Sequence, residues 1–537
     1  MSFDDEDLGH FVLFLHSHLP FVRHPETTTA WEENWLFEAI TESYLPLIAV
    51  AEEWVRDSVN ARITMSLSPP LMEMLRDDLL MRRYHRHVYR LLDLADAEVR
   101  RLADDERFAF TTVLYRDRLA ETLDRFQRQY NGDVLSGFAA LRDAGVLDLA
   151  TSCATHAFLP GFDFDFARSQ IRLGVKAFRE HLGGEPSGMW LPECGFVPGL
   201  DRILADEGMT YFFVEAHAVE YATPAPIFGA AAPLVCPSAV YAFPRDRFSS
   251  TQVWSADSGY PGDGRYREFH RDIGYDLDPE FIGPELLPDG SGRSLGLKYH
   301  RVTGRDVPLH AKEPYHRGWA LNAVSEHAQD YLLNRELQFR RLKAALGRPA
   351  IVAAPFDTEL FGHWWFEGPE FLDRVVRGVS GGSREYRLST PQDVINSGFD
   401  FQVSMPAASS WGAGGYSETW LNERNSWVWP HLHHAAAAMK SLAAKRPDAT
   451  GCARRALNQL ARELLLAAAS DWPFMVTMGT VVDYGERRMQ THITRFNALL
   501  SQLERDDIDV SRLEELELAD NIFSGLDYRD FAHRPVR

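Results

Sequence analysis

The sequence predicts an α/β protein: a parallel sheet closed into a barrel, with a helical insertion and a helical C-terminal domain. Three observations carry this. Short apolar runs of strand length recur through the first 400 residues, helical periodicities separate them, and two further stretches are helical without any strand between. The runs lie at 11–15, 62–67, 146–150, 189–191, 211–214 and 351–354. Several read as buried on both faces, as parallel strands are. Helical patterns fall around 201–207 and 326–346. Residues 77–144 are charged and helix-periodic (LLDLADAEVRRLADDERF, RLAETLDRFQRQY), which marks an insertion between two barrel strands. From about 425 the chain is helical again (HLHHAAAAMKSLAAK, ARRALNQLARELLLAAAS, GERRMQTHITRFNALLSQLER). The expected division is a barrel of 1–76 with 145–400, an insertion of 77–144, and a helical domain of 401–537. GVSGGSR at 378–384 reads as a flexible loop.

Composition narrows the function. Of 537 residues, 45% are hydrophobic and 25% charged, enough for ordinary globular cores. A net charge of −21 disfavours nucleic acid and anionic membranes and suits a neutral substrate. It also permits a monomer or weak homo-oligomer. Cys153, Cys194, Cys236 and Cys452 are scattered, which argues against a disulfide framework or a thiolate zinc site. The start, MSFDDEDLGH, lacks the basic and apolar succession of a signal peptide, and no long uncharged apolar run occurs. The cytoplasm is the expected compartment.

The polar residues that follow the apolar runs point to chemistry. The run 11–15 leads to His16 and His18, 146–150 to His156, 189–191 (which contains Trp190) to Glu193, 211–214 to Glu215 and His217, and 351–354 to Asp357. Strand C-termini build the active site of β/α barrels, and five in succession exceed what strand termination requires. Glu359 reads as a support or helix-start residue; His431, His433, His434 and Cys452 have no site context. Two carboxylates converging on a barrel mouth suit glycosidic bond cleavage through a covalent glycosyl-enzyme, with histidines binding sugar hydroxyls. The loop SSWGAGGYSETWLNERNSWVWP adds Trp411, Tyr416, Trp420, Trp427 and Trp429, which would stack on glucose units or fill a domain interface. Trp364 and Trp365, close after Asp357, would line the groove.

These segments resemble glycoside hydrolase family 57. FLHSHLPFVRHPE, ATHAFLP, GMWLPECGF, FDTELFGHWWFEGPEF and SDWPFMVTMGTVVDYGERRMQTHITRF resemble its five signatures in order. QVWSADSGYPGDGRYREFHRDIGYD and SSWGAGGYSETWLN resemble its glucan-branching members. The resemblance implies a (β/α)7 barrel and retaining transfer of an α-1,4-glucan segment to a 6-hydroxyl, with an α-glucan as substrate partner and no metal or cofactor. It implies Glu193 as nucleophile and Asp357 as acid/base, with His16, His18, His156, Trp411, Trp420 and Asp471 framing the substrate. Branching members carry a tyrosine on a loop over the site; Tyr241 and Tyr260 are the candidates here. Tyr275 stands where those members often have Trp. The nearest alternatives are an α-amylase or 4-α-glucanotransferase of the same family. From another class, a barrel hydrolase could hold a metal on His16 and His18.

Overall fold

The computed structural model describes residues 8–532 apart from 29, 256–257, 284–289 and 384. The acidic start at 1–7 and residue 384 of the expected loop lie outside the described residues. The strands are β1 (Gly9–Ser17), β2 (Ile63–Leu67), β3 (Leu147–Ser152), β4 (Gly188–Trp190), β5 (Tyr211–Val214), β6 (Leu234–Val235), β7 (Tyr241–Pro244), β8 (Ile351–Asp357) and β9 (Tyr386–Leu388). They form one sheet in the order β6-β7-β5-β4-β3-β2-β1-β8, with β9 added beside β1. Every pairing is parallel except the short β6–β7 hairpin. The sheet curls until its ends meet. Arg245, just past β7, bridges Ala353 of β8, and Asp246 N–H donates to the Ala353 carbonyl at 2.8 Å. Seven parallel strands thus surround one interior, the expected barrel.

Side-chain alternation decides what enters that interior. Val12, Phe14, Ala150, Trp190, Tyr211, Phe213, Phe243, Ile351 and Ala353 form an inner cluster. Phe11, Leu13, Leu15, Ile63, Met65, Phe212 and Val352 pack outward among the helices. With a period of two, His16 continues the inward row of Val12 and Phe14, and Asp357 continues that of Ile351 and Ala353. Ser66 faces inward between outward Met65 and Leu67. The buried apolar rows therefore aim the polar residues that end them.

Two helices of the outer layer, Arg317–Leu346 and Gly368–Ser380, cross closely at Gly378, where a Cβ would come within 2.4 Å of Leu332. The glycine read as loop flexibility is thus a close-packing position inside a helix. Between β2 and β3 run the helices Asp78–Arg101, Ala109–Asp124 and Val134–Asp143. The last of these packs on β3 and on the helix Leu45–Arg56. Residues from a later segment pack on these helices: Tyr115 donates to the Lys298 carbonyl at 2.9 Å and Thr111 to the Tyr315 carbonyl at 3.4 Å. The helices Val428–Lys445, Gly451–Ala467, Asp471–Met478, Val482–Arg505 and Val510–Ala519 make the C-terminal part. It is stitched to the barrel after β3: Thr155 Oγ1 donates to the Leu465 carbonyl at 2.6 Å, and Ser470 N–H to the His156 carbonyl at 3.0 Å. No helix among the described residues is long and apolar enough to cross a membrane.

Candidate active site

Glu193 follows β4 in a tight turn and holds left-handed backbone angles, φ 63° and ψ 23°. Its carboxylate accepts from Ser470 Oγ at 2.7 Å and from Trp411 Nε1 at 2.7 Å. Trp411 N–H also donates to the Glu193 carbonyl at 2.8 Å. Both side-chain donors come from beyond residue 400, so the loop and the helical part position this carboxylate jointly. The His156 ring lies beside it, with Nδ1 at 3.7 Å from Oε1.

Three histidines line one side of the mouth. His16 Nδ1 bonds Ser66 Oγ at 2.7 Å and its Nε2 faces His156 Nε2 at 2.9 Å. His18 bonds Ser68 Oγ at 2.9 Å through Nδ1 and both oxygens of Asp471 at 3.1 Å through Nε2. The His18 and His156 rings stack at 3.7 Å, and Trp190 stacks on His16 at 4.8 Å. His18, His156 and Asp471 are spaced as a cation group could be. Yet both nitrogens of His16 and both of His156 are already engaged, so a metal there would have to displace these bonds.

Asp357 ends β8 in register with His16. Among the described residues its carboxylate accepts no side-chain hydrogen bond; the Arg245 and His18 charges act on it. Burial raises Glu193 to about 7, against the bonds from Ser470 and Trp411. Burial likewise raises Asp357 to about 6, against Arg245 and His18. Burial holds the His16 and His156 imidazoles far below the usual range, with the His18 charge adding, so both are neutral.

The remaining candidates divide. Glu215 does not face open space: it pairs with Arg245 at 3.0 Å, and that guanidinium lies over the Trp411 ring at 5.3 Å. His217 bonds the Gly415 carbonyl at 2.9 Å and packs under the exposed Tyr416 ring. Gly415 has φ 75° and lies so close to His217 that a Cβ would fall 2.6 Å from its ring. Trp364, 53% exposed, stacks on Phe269 in the turn after β8, a ring free to meet a glucan. Tyr275 is exposed, and among the described residues no hydrogen bond or ring contact joins it to the carboxylate cluster.

Three expectations are corrected. Trp420 is 1% exposed and stacked on Phe158, so it fills the interface and offers no face to a sugar. Tyr241 starts β7, at the strand end opposite the carboxylates, against Phe401. Tyr260 lies on the outer helices, stacked on His327 and donating to Asp330 at 2.7 Å. Neither tyrosine reaches the mouth.

Sequence reading missed Arg245, Ser66 and Ser470, while Glu359 has the supporting place expected of it. Glu359 accepts from Tyr44 OH and from His18 N–H, the latter at 3.2 Å, and burial raises it to about 8. Ser470 carried a signal, standing directly before Asp471. Arg245 would have followed from recognising β7, too short to see.

The barrel, the buried carboxyl pair at its mouth and the aromatic rim define a carbohydrate-active barrel enzyme. The comparisons agree. A family model described as glycosyl hydrolase family 57 matches residues 12–404, and one described as 1,4-alpha-glucan branching enzyme, C-terminal, matches 431–531. The chain belongs to glycoside hydrolase family 57. It is 33% identical to a 1,4-alpha-glucan branching enzyme of Thermococcus kodakarensis, over 96% of this chain and 77% of that one. Among solved structures it resembles the alpha-amylase AmyC of Thermotoga maritima at 42% identity and TM-score 0.92, covering 98% and 100% of the two chains. It also resembles a branching enzyme of Pyrococcus horikoshii at 32% identity and TM-score 0.87, covering 98% of each.

Proposed function

We propose that the protein is a retaining 1,4-α-glucan branching enzyme, with Glu193 as nucleophile and Asp357 as acid/base. The observation that carries this is the Glu193 carboxylate, held by two donors on a left-handed turn at a barrel mouth it shares with Asp357. A Glu193 oxygen bonds the anomeric carbon as the glycosidic bond breaks, and Asp357 gives its proton to the departing 4-oxygen. A 6-hydroxyl then attacks the same carbon, returns its proton to Asp357 and releases Glu193. Burial raises both carboxyls into the range where either can carry the proton. Positive charge developing at the anomeric carbon favours ionised Glu193, and the glycosidic oxygen draws the proton from Asp357. His16, His18, His156, Asp471, Trp190, Trp411 and Trp364 frame the chain. In domain terms, 77–144 is a helical insertion and 401–537 a helical domain completing the groove. The protein would act in the cytoplasm as a monomer or weak oligomer.

A second reading, hydrolysis of the same bonds, is favoured by two observations: the 42% identity to the alpha-amylase AmyC, and the placement of Tyr241 and Tyr260 away from the mouth. Incubation with amylose separates the readings. Branching lowers iodine absorbance with few new reducing ends and yields chains released by a debranching enzyme; abundant reducing ends without such chains would reject it for hydrolysis.

A further inference from the structure

Behind Glu193 a single file of hydrogen bonds runs from the carboxylate back into the barrel wall. Glu193 Oε1 lies 2.7 Å from Ser470 Oγ, and Ser470 Oγ lies 2.8 Å from His156 Nδ1. His156 Nε2 lies 2.9 Å from His16 Nε2, and His16 Nδ1 lies 2.7 Å from Ser66 Oγ. Each contact has room for one proton, and each neutral imidazole carries one N–H. If Ser66 donates, His16 carries its proton on Nε2 and donates to His156. His156 then carries its own on Nδ1 and donates to Ser470, whose hydroxyl is left to donate to ionised Glu193. The reverse order starts from protonated Glu193 donating to Ser470. Ser470 then donates to His156 Nδ1, His156 Nε2–H to His16, and His16 Nδ1–H to Ser66.

The Ser66 end chooses between them. Ser66 is 0% exposed, and among the described residues the only partner of its hydroxyl is His16 Nδ1. In the reverse order its O–H would be buried with nothing to accept it, a penalised state. In the forward order every group is satisfied.

We propose that Ser66 is a positioning residue: through the tautomers of His16 and His156 it turns the Ser470 hydroxyl toward Glu193 and holds that carboxylate ionised. The proposal rests on Glu193 being the nucleophile. Besides this file, Glu193 faces His18 and Asp471, and the neighbouring Cys194 faces Glu215, Arg245 and Asp357; none of these belongs to the file, and all are left in place by a change at 66.

The test is the pH profile of kcat/KM on amylose for wild type, Ser66→Ala and Ser66→Thr, with 15N NMR of histidine-labelled protein. Ser66→Ala removes the donor that selects the forward order. Its acid limb should move up by about one pH unit, with the loss confined to the acid side and the hydroxyl-bearing Ser66→Thr returning the limb toward wild type. In wild type the spectra should show opposite tautomers, His16 protonated on Nε2 and His156 on Nδ1; in Ser66→Ala both rings should become mixtures. An unmoved limb, a loss equal at every pH, or mixed tautomers in wild type would each overturn the proposal. The NMR arm needs no turnover. If Glu193→Gln kept its activity, the nucleophile assignment would fail while the tautomer order could still be read.

Discussion

Trp411→Phe isolates one bond to the proposed nucleophile. It removes the indole N–H that donates to Glu193 Oε2 at 2.7 Å. An aromatic ring remains to pack against Trp190, and the main-chain bond from residue 411 to the Glu193 carbonyl is unaffected. A hydrogen bond to an ionised group contributes about 1.5–3 kcal/mol. At about 1.36 kcal/mol per pH unit, its loss should raise the Glu193 carboxyl by about 1–2 units. The sign follows from which form the donor favours: N–H stabilises the carboxylate, so removing it favours the protonated acid. Wild type should lose activity as pH falls through about 7, and the variant should lose it already at higher pH. Near pH 6 the rate ratio should reach roughly 10- to 100-fold, narrowing steadily as the pH is raised. Initial rates of iodine-absorbance loss on amylose from pH 5 to 10 measure this. A ratio that stays constant with pH would refute the reasoning, because it would place the role of Trp411 in binding.

Three further outcomes are expected. Asp357→Asn should abolish turnover on amylose with an unchanged circular-dichroism spectrum; near-normal rates would remove its acid/base role. Glu193→Gln should also lose turnover but gain stability. Burial raises this carboxyl from 4.5 to about 7, so charging it in the fold costs on the order of 3 kcal/mol above pH 7, a cost that vanishes below about 4.5. The variant should therefore outlast wild type in urea at pH 8, with the gap closing toward pH 4.5; a pH-independent gap would contradict the linkage. Tyr241→Ala and Tyr260→Ala should leave the ratio of branching to hydrolysis unchanged, and a rise in released reducing sugar for either would mean that its ring reaches the mouth.

Much of this site was legible in the chain because parallel barrel strands announce themselves. A buried strand must be apolar on both faces, so the first titratable residue at its end marks its C-terminal side; His16, Glu193 and Asp357 were visible for that reason. What alternation places inside the barrel was equally legible for Ser66 once β2 is recognised, but a serine in a strand gives no signal of its own. β7 is only four residues long and β6 two, too short for periodicity, so Arg245 was missed. The aromatic loop left two readings open because Trp side chains suit sugar stacking and domain interfaces equally. Whether a ring is buried, as Trp420 is, or exposed, as Trp364 is, depends on tertiary packing that local sequence does not encode. Glycines misled at Gly378, where the missing Cβ serves contact between helices.

The backbone explains why the carboxylate cannot be assigned to the barrel alone. Glu193, Cys194 and His156 all hold positive φ, at 63°, 50° and 56°. Left-handed angles cost residues with a Cβ roughly 1–2 kcal/mol each, and such strain persists only where surrounding structure enforces it. Within the barrel, Cys194 N–H donates to the Leu191 carbonyl at 3.0 Å, which closes the turn locally. The bonds from Gly195 N–H to the Pro192 carbonyl at 2.9 Å and from His156 N–H to the Cys153 carbonyl at 3.3 Å do the same, and two further clamps come from outside. Residue 411 donates to the Glu193 carbonyl, and residue 470 donates to the His156 carbonyl. The side chains of those same two residues are the donors to the Glu193 carboxylate. Residues 411 and 470 thus hold the strained main chain and the carboxylate together. A displacement of the helical part would release the turn, the carboxylate and the Ser470 end of the histidine file at once. The geometry of the proposed nucleophile is therefore a property of the contact between barrel and helical part.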